Sequence, residues 1–167
     1  LPKGSDAIEH AYTNAMQRIE RSDSESRKLA KDILTWINCA VRPLSTSELR
    51  HALAVETSPE FDENNILSLH DIISMCAGLV TVDEQSDVFR LVHYTTEEYF
   101  RRTWTRWFPN AHQDIATTCV TYLLFDAFKD GSCSTDTEFE ARLNLYPFYS
   151  YAARNWGYHA HEQPISE

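Results

Sequence analysis

The stretch DIISMCAGLVTVDEQSDVFRLVH, Asp71 to His93, changes its hydrophobic period halfway along. Its first part completes the segment NILSLHDIISMCAG, in which Ile66, Leu69, Ile73 and Cys76 recur at helical spacing and Gly78 suits the left-handed position just past a helix end. Its second part is two β-branched runs, LVTVD and VFRLVH, separated by the polar EQSD, which is the pattern of a hairpin. A helix that gives way at once to a two-stranded ribbon defines the fold once the elements before it are counted.

Pro43 closes one helix, and Ser45 with Glu48 three residues on is a capping-box signature that opens the short helix TSELRHALAV. Before Pro43, the residues Leu29, Ile33, Trp36, Ile37 and Ala40 form the apolar stripe of an amphipathic helix. Further upstream, SDAIEHAYTNAMQRIER places Ile8, Tyr12, Ala15, Met16 and Ile19 on another stripe, with Ser5 or Asp6 as its cap. The polar run Ser22 to Ser26 predicts a joint between these two helices. Helix, helix, helix, hairpin is the order of a winged helix.

Beyond the hairpin, Thr95 and Glu98 read as a second capping box, which predicts a helix starting two residues after His93 and running toward Phe108. On its exposed side, Glu97 with Arg101 and Glu98 with Arg102 are spaced as i,i+4 pairs. Pro109 stops it, and Asn110 with Gln113 opens another helix whose Ile115, Cys119, Tyr122, Leu123 and the following Phe125 face a core. The pieces TEFEARLNL and PFYSYAARNWGYHA follow, the latter with Pro147 in the first turn. The predicted class is mainly α with a small β-hairpin: a leading helix and linker over 1–24, a winged helix over 25–103 and a helical extension over 104–167.

Composition bounds what such a chain can do. Its 167 residues, 43% of them hydrophobic, with four glycines and six prolines, suit a helical globule with its own core. Cys39, Cys76, Cys119 and Cys133 show no CxxC spacing and read as free thiols of a reducing compartment. No apolar run approaches the ~20 residues of a membrane-spanning helix, so the chain is expected to be soluble and cytoplasmic, with no membrane partner. The formal net charge of −10 is uneven, because His51 through Phe89 contains no Lys or Arg but eight carboxylates: Glu56, Glu60, Asp62, Glu63, Asp71, Asp83, Glu84 and Asp87. Phosphate contacts supply most nucleic-acid affinity, so an acidic recognition helix and wing argue against DNA.

Catalytic motifs are missing. Gly4, Gly78, Gly131 and Gly157 do not begin a GxxxxGK[ST] loop, and Lys3-Gly4-Ser5 is no substitute for one. HExxH, GxSxG and paired CxxC are equally absent. His159, His161 and Glu162 in HAHE are the nearest approach to a metal set, but alternate helix positions do not face one another. The basic and aromatic cluster RRTWTRW, Arg101 to Trp107, suggests stacking on a single strand or a membrane surface. Helical spacing favours packing, with Phe100, Trp104, Trp107 and Phe108 on one face. That leaves His93, at the end of a strand and beside a helix N-terminus whose free N–H groups and dipole favour anions. Two readings stand for it: a packed junction residue, or a hydrogen-bond donor to a phosphate brought by a neighbouring domain.

Four blocks in order carry a resemblance: LPKGS, DILTWINCAVRPLSTSELRHALAV, DIISMCAGLVTVDEQSDVFRLVHYTTEEYF and YPFYSYAARNWGYHA. Together they resemble the winged-helix segment of fungal NACHT and ankyrin-repeat proteins, often labelled the GPI inositol-deacylase-type winged-helix domain. The resemblance implies a non-enzymatic regulatory and interdomain module of a signalling NTPase, read as an excerpt with a NACHT domain before it and repeats after it. Cofactors are then none in this chain, with ADP/ATP or GDP/GTP held by the neighbouring domain. The implied partners are the NACHT and repeat domains and other proteins. In related NOD-like receptors the histidine of an FxHxxxxEF motif touches the β-phosphate of ADP. Phe89 to His93 and then Glu98, Tyr99 and Phe100 are similar in order, with a shifted aromatic before the histidine and Tyr99 in place of a phenylalanine. The alternatives are a DNA-binding winged helix and a stand-alone protein-interaction adaptor.

Overall fold

The computed structural model describes residues 4–162. In chain order its elements are α1 (Gly4–Glu20), α2 (Ser24–Cys39), α3 (Thr46–Leu53), a 3₁₀ turn at Glu63–Asn65, α4 (Leu69–Met75), β1 (Val80–Asp83), β2 (Val88–Leu91), α5 (Tyr94–Trp107), α6 (Ala111–Leu123), a second 3₁₀ turn at Asp126–Phe128, α7 (Asp136–Leu145) and α8 (Tyr149–His161). Helices α2, α3 and α4 followed by the β1–β2 hairpin make a winged helix, and α6 to α8 form its helical extension. Two compact groupings result. One holds residues up to Thr46 together with Ser68–Pro109; the other holds Ser47–Leu67 with the chain from Asn110 onward.

In the first unit, α2 packs against α1, α4, α5 and β2. Burial of Ile33, Leu34 and Trp36 on α2, Met16 and Ile19 on α1, and Tyr99 and Phe100 on α5 supplies its core. The joint predicted at Ser22 to Ser26 is tighter than the polar run suggests. Asp23 caps α2 with its carboxylate, accepting from the amides of Glu25 and Ser26 at 3.1 and 2.9 Å, so the helix resumes at Ser24. Those bonds hold the Asp23 carboxyl below its usual pKa. At the other end of the chain α1 already includes Gly4, which moves Asp6 from the predicted cap into the first turn, where a carboxylate still suits the helix dipole.

The segment that decides the fold behaves as its period change predicts, with one phase error. Residues 66–68 stay outside the helix, Ser68 caps α4 by accepting from the Asp71 amide at 3.1 Å, and the buried pair is Ile72 with Cys76. Ile73 is only half-buried and Leu69 is exposed, because the helix phase is set at Ser68 rather than at Ile66. Ala77 (φ 52°) and Gly78 (φ 83°) are both left-handed, and the Leu79 amide donates to the Cys76 carbonyl at 2.9 Å across them. That tight turn sends the chain straight from helix into β1. β1 and β2 pair antiparallel with Val80 opposite Leu91 and Asp83 opposite Val88. The hairpin tip is held by the Asp83 carboxylate, which accepts from the amides of Gln85 and Ser86 and pairs with Arg90 at 3.0 Å.

The second unit has an aromatic core. Fully buried Tyr122 on α6 lies with its ring 5.1 Å from Phe148, 5.4 Å from Phe125 and 5.8 Å from Phe61, mostly edge to face. Its hydroxyl meets His51 Nδ1 of α3 at 3.0 Å, and His51 stacks on Phe61 at 4.6 Å. Burial pushes the Tyr122 phenol well above its ordinary pKa and lowers that of His51 to about 4. The acidic loop is thereby tied down. Phe61 enters the aromatic cluster, the Asp126 amide donates to the Pro59 carbonyl at 2.8 Å, and Arg50 Nε donates to the Leu67 carbonyl at 2.6 Å.

Of the cysteines, Cys76 and Cys119 are buried while Cys39 and Cys133 are half-buried, and all four are free. Burial drives the Cys39 thiol to about 11 and those of Cys76 and Cys119 to about 12, far from the range of a nucleophilic thiolate.

Candidate functional site

The hairpin ladder runs one residue past β2, since the Val92 amide donates to the Leu79 carbonyl at 3.0 Å. Extended backbone therefore persists through His93 (φ −154°, ψ 153°), and α5 begins at Tyr94. This overturns the predicted Thr95/Glu98 box. Thr95 is the second helical residue, and the cap is His93 itself: its Nδ1 accepts from the Thr95 amide at 3.3 Å and lies 2.9 Å from the Thr95 hydroxyl. Imidazole Nδ1 stands as many bonds from the backbone as the side-chain oxygen of Asn or Asp, the usual N-cap acceptors, which explains how histidine takes their place. The Thr96 amide completes the turn by donating to the His93 carbonyl at 3.0 Å.

Capping fixes the tautomer. With Nδ1 as acceptor, a neutral ring carries its proton on Nε2, and His93 is exposed. Among the described residues nothing hydrogen-bonds to Nε2. The ring is steadied by Tyr94, whose centroid lies 4.4 Å away, and through Thr95, whose hydroxyl is 2.6 Å from the Tyr12 hydroxyl of α1. Neither Tyr12 nor Tyr94 is signalled as a site residue by the sequence. Tyr12 reads there as one more apolar position on a helical stripe, and only the fold brings it to the cap.

The remaining candidates fall elsewhere. Phe100, Trp107 and Phe108 are buried, as helical spacing predicts, and the Trp107 indole N–H donates to the Tyr99 hydroxyl at 3.0 Å. Arg106 lies over the Trp107 ring at 4.5 Å. The predicted pairing of Glu98 with Arg102 is replaced: Arg102 ion-pairs with Glu9 of α1 at 3.2 Å and donates to the backbone carbonyl of Glu98. His159 is fully buried between His112 Nδ1 and the Tyr151 hydroxyl, both at 2.9 Å, while His161 and Glu162 are exposed. Burial, reinforced by His112, lowers the His159 pKa to about 4. The three residues of HAHE are thus not brought together, and the described residues contain no cluster of three or more metal-ligating side chains.

A hairpin wing after three helices, with the next helix capped from the wing's own last residue, defines a winged-helix domain. The match to known families is consistent with this: residues 17–116 fit the family described as GPI inositol-deacylase, winged helix domain, and the chain belongs to that family. No curated protein and no solved structure matches it. No helix among the described residues is long and apolar enough to cross a membrane.

Proposed function

We propose that the chain is a non-enzymatic regulatory and interdomain module of a NACHT-type signalling NTPase, coupling the nucleotide state of a neighbouring domain to a repeat region. The observation that carries this reading is the His93 cap. A ring held by Nδ1, with its Nε2–H edge exposed at the N-terminus of a 14-residue helix, is an oriented donor for an anionic oxygen. A nucleoside diphosphate or triphosphate in the adjoining domain would accept that hydrogen bond in one state of the protein and lose it in the other. One charge-assisted bond of about 1.5–3 kcal/mol is sufficient to shift a two-state equilibrium by roughly 10- to 150-fold.

Charge weighs against nucleic acid as the partner. α4, in the position of a recognition helix, has no Lys or Arg, and Arg90 of the wing is engaged by Asp83. The test separates the two jobs of His93 in a protein that includes the NACHT domain. His93→Asn retains a cap acceptor but has no Nε2–H, and His93→Ala loses both. Both variants are expected to weaken ADP binding at least tenfold and raise basal activity, and only His93→Ala to loosen the start of α5. Unchanged ADP affinity and an unchanged resting state in both variants would refute the proposal.

A further inference from the structure

Two groups of Thr95 meet Nδ1 of His93, and the capping amide is the more distant of them. The Thr95 hydroxyl lies 2.9 Å from Nδ1, against 3.3 Å for the Thr95 amide. A threonine in a helix divides between two χ1 rotamers, so its hydroxyl needs a further partner to stay on the ring. That partner comes from another element. The Tyr12 hydroxyl of α1 is 2.6 Å from the same Thr95 oxygen, and the Tyr12 ring lies 5.5 Å from the Tyr99 ring of α5. Thr95 and Tyr12 are half-buried while His93 is exposed, so both act on a ligand at the exposed edge through the imidazole.

Helix α1 is fastened unevenly. Met16 and Ile19 in its second half are buried, at 0% and 2% exposure, whereas Ile8 in its first half is 44% exposed. Ahead of Met16, α1 meets α5 through the Tyr12–Thr95 bond, a 3.2 Å contact between the Thr13 and Tyr99 hydroxyls, and the 3.2 Å ion pair of Glu9 with Arg102. Polar contacts exchange for water at little net cost, so the first half of α1 lifts from α5 more readily than the second. We infer that Thr95 is a positioning residue for the phosphate contact of His93 and Tyr12 its anchor on α1, so that docking of α1 on α5 sets the strength of that contact. The inference rests on the reading of His93 proposed above. It makes α1, which in that reading follows the neighbouring domain, a regulator of the nucleotide contact.

Two measurements test it: ADP titration of a protein that includes the NACHT domain, and ¹⁵N NMR of the His93 ring in the 167-residue chain. Thr95→Val keeps the shape of the side chain and removes its hydroxyl. It is expected to weaken ADP binding about threefold or more and to turn the His93 ring from the Nε2–H tautomer to a mixture of both, with Thr95→Ser restoring both readouts. Tyr12→Phe keeps the ring beside Tyr99 but frees the Thr95 rotamer, and Glu9→Arg sets a like charge against Arg102. Each is expected to weaken ADP binding about twofold, and Glu9→Arg combined with Arg102→Glu to recover it. If His93→Ala weakens ADP binding while Thr95→Val does not, this inference falls and the reading of His93 stands; if His93→Ala has no effect, both fall. An unaltered tautomer in Thr95→Val, a loss that Thr95→Ser does not restore, or no effect of Tyr12→Phe and Glu9→Arg would each overturn the inference as well.

Discussion

Acid should loosen the second unit through His159. The side chain is 0% exposed, it is wedged between His112 and Tyr151, and its pKa is lowered to about 4. In the unfolded chain the same ring titrates near 6.5. The folded state thus favours neutral His159, and its contribution is present in full above about pH 6.5 and declines as pH falls toward 4. At pH 5 the unfolded ring is almost fully protonated and the folded ring mostly neutral, so the loss from pH 7 is about 2 kcal/mol from this group. His51, held neutral against Phe61 and Tyr122 but half-buried, adds a smaller loss of the same sign. Urea unfolding followed by tryptophan fluorescence at pH 7 and pH 5 measures the total, and His159→Gln isolates the residue. The variant is expected to be less stable at pH 7, yet to lose about 2 kcal/mol less than wild type on acidification. If both proteins lose the same amount, or if NMR titration finds the His159 ring protonating near 6.5, the reasoning fails.

Two backbone and packing features give simpler expectations. Ala77 holds a left-handed conformation that disfavours a Cβ, so Ala77→Gly should stabilise the chain by up to about 1 kcal/mol in urea unfolding at pH 7, with the hairpin unchanged by NMR. Thr96 is fully buried on α5 and its hydroxyl has no hydrogen-bond partner among the described residues. Thr96→Val, which keeps the shape and removes the unpaired hydroxyl, is expected to raise stability by about 1 kcal/mol; a loss of that size would mean the hydroxyl is satisfied in solution.

The winged-helix order was legible because its signals are local: a period switch at Gly78, Pro43 and Pro109 as stops, and polar turn residues between β-branched runs. Where sequence reading went astray, long-range contacts decided the outcome. Thr95 and Glu98 have the spacing of a capping box, but the hairpin ladder holds the chain extended through His93 and gives the cap to histidine, a residue no composition rule nominates. The core face of α4 was misplaced by one position because its phase depends on where Ser68 ends the loop. Phe61, a lone aromatic among carboxylates, was the visible sign that the acidic loop is anchored, but its partners lie more than sixty residues downstream in Tyr122 and Phe125. His159 shows the same dependence, since its sequence neighbours His161 and Glu162 are exposed while the ring that it meets, His112, lies 47 residues upstream.

The contact from Tyr12 through Thr95 to His93 has a polarity. While Nδ1 accepts, the Thr95 hydroxyl is free to give its proton to the ring, and the Tyr12 hydroxyl then gives its own to Thr95. Placing a proton on Nδ1 reverses that order. Thr95 then accepts from the ring, its amide loses its cap, and its own hydroxyl proton is freed to be donated to the Tyr12 oxygen. The exposed imidazole is thus joined to α1 by two hydrogen bonds whose donors a hydroxyl rotation can exchange.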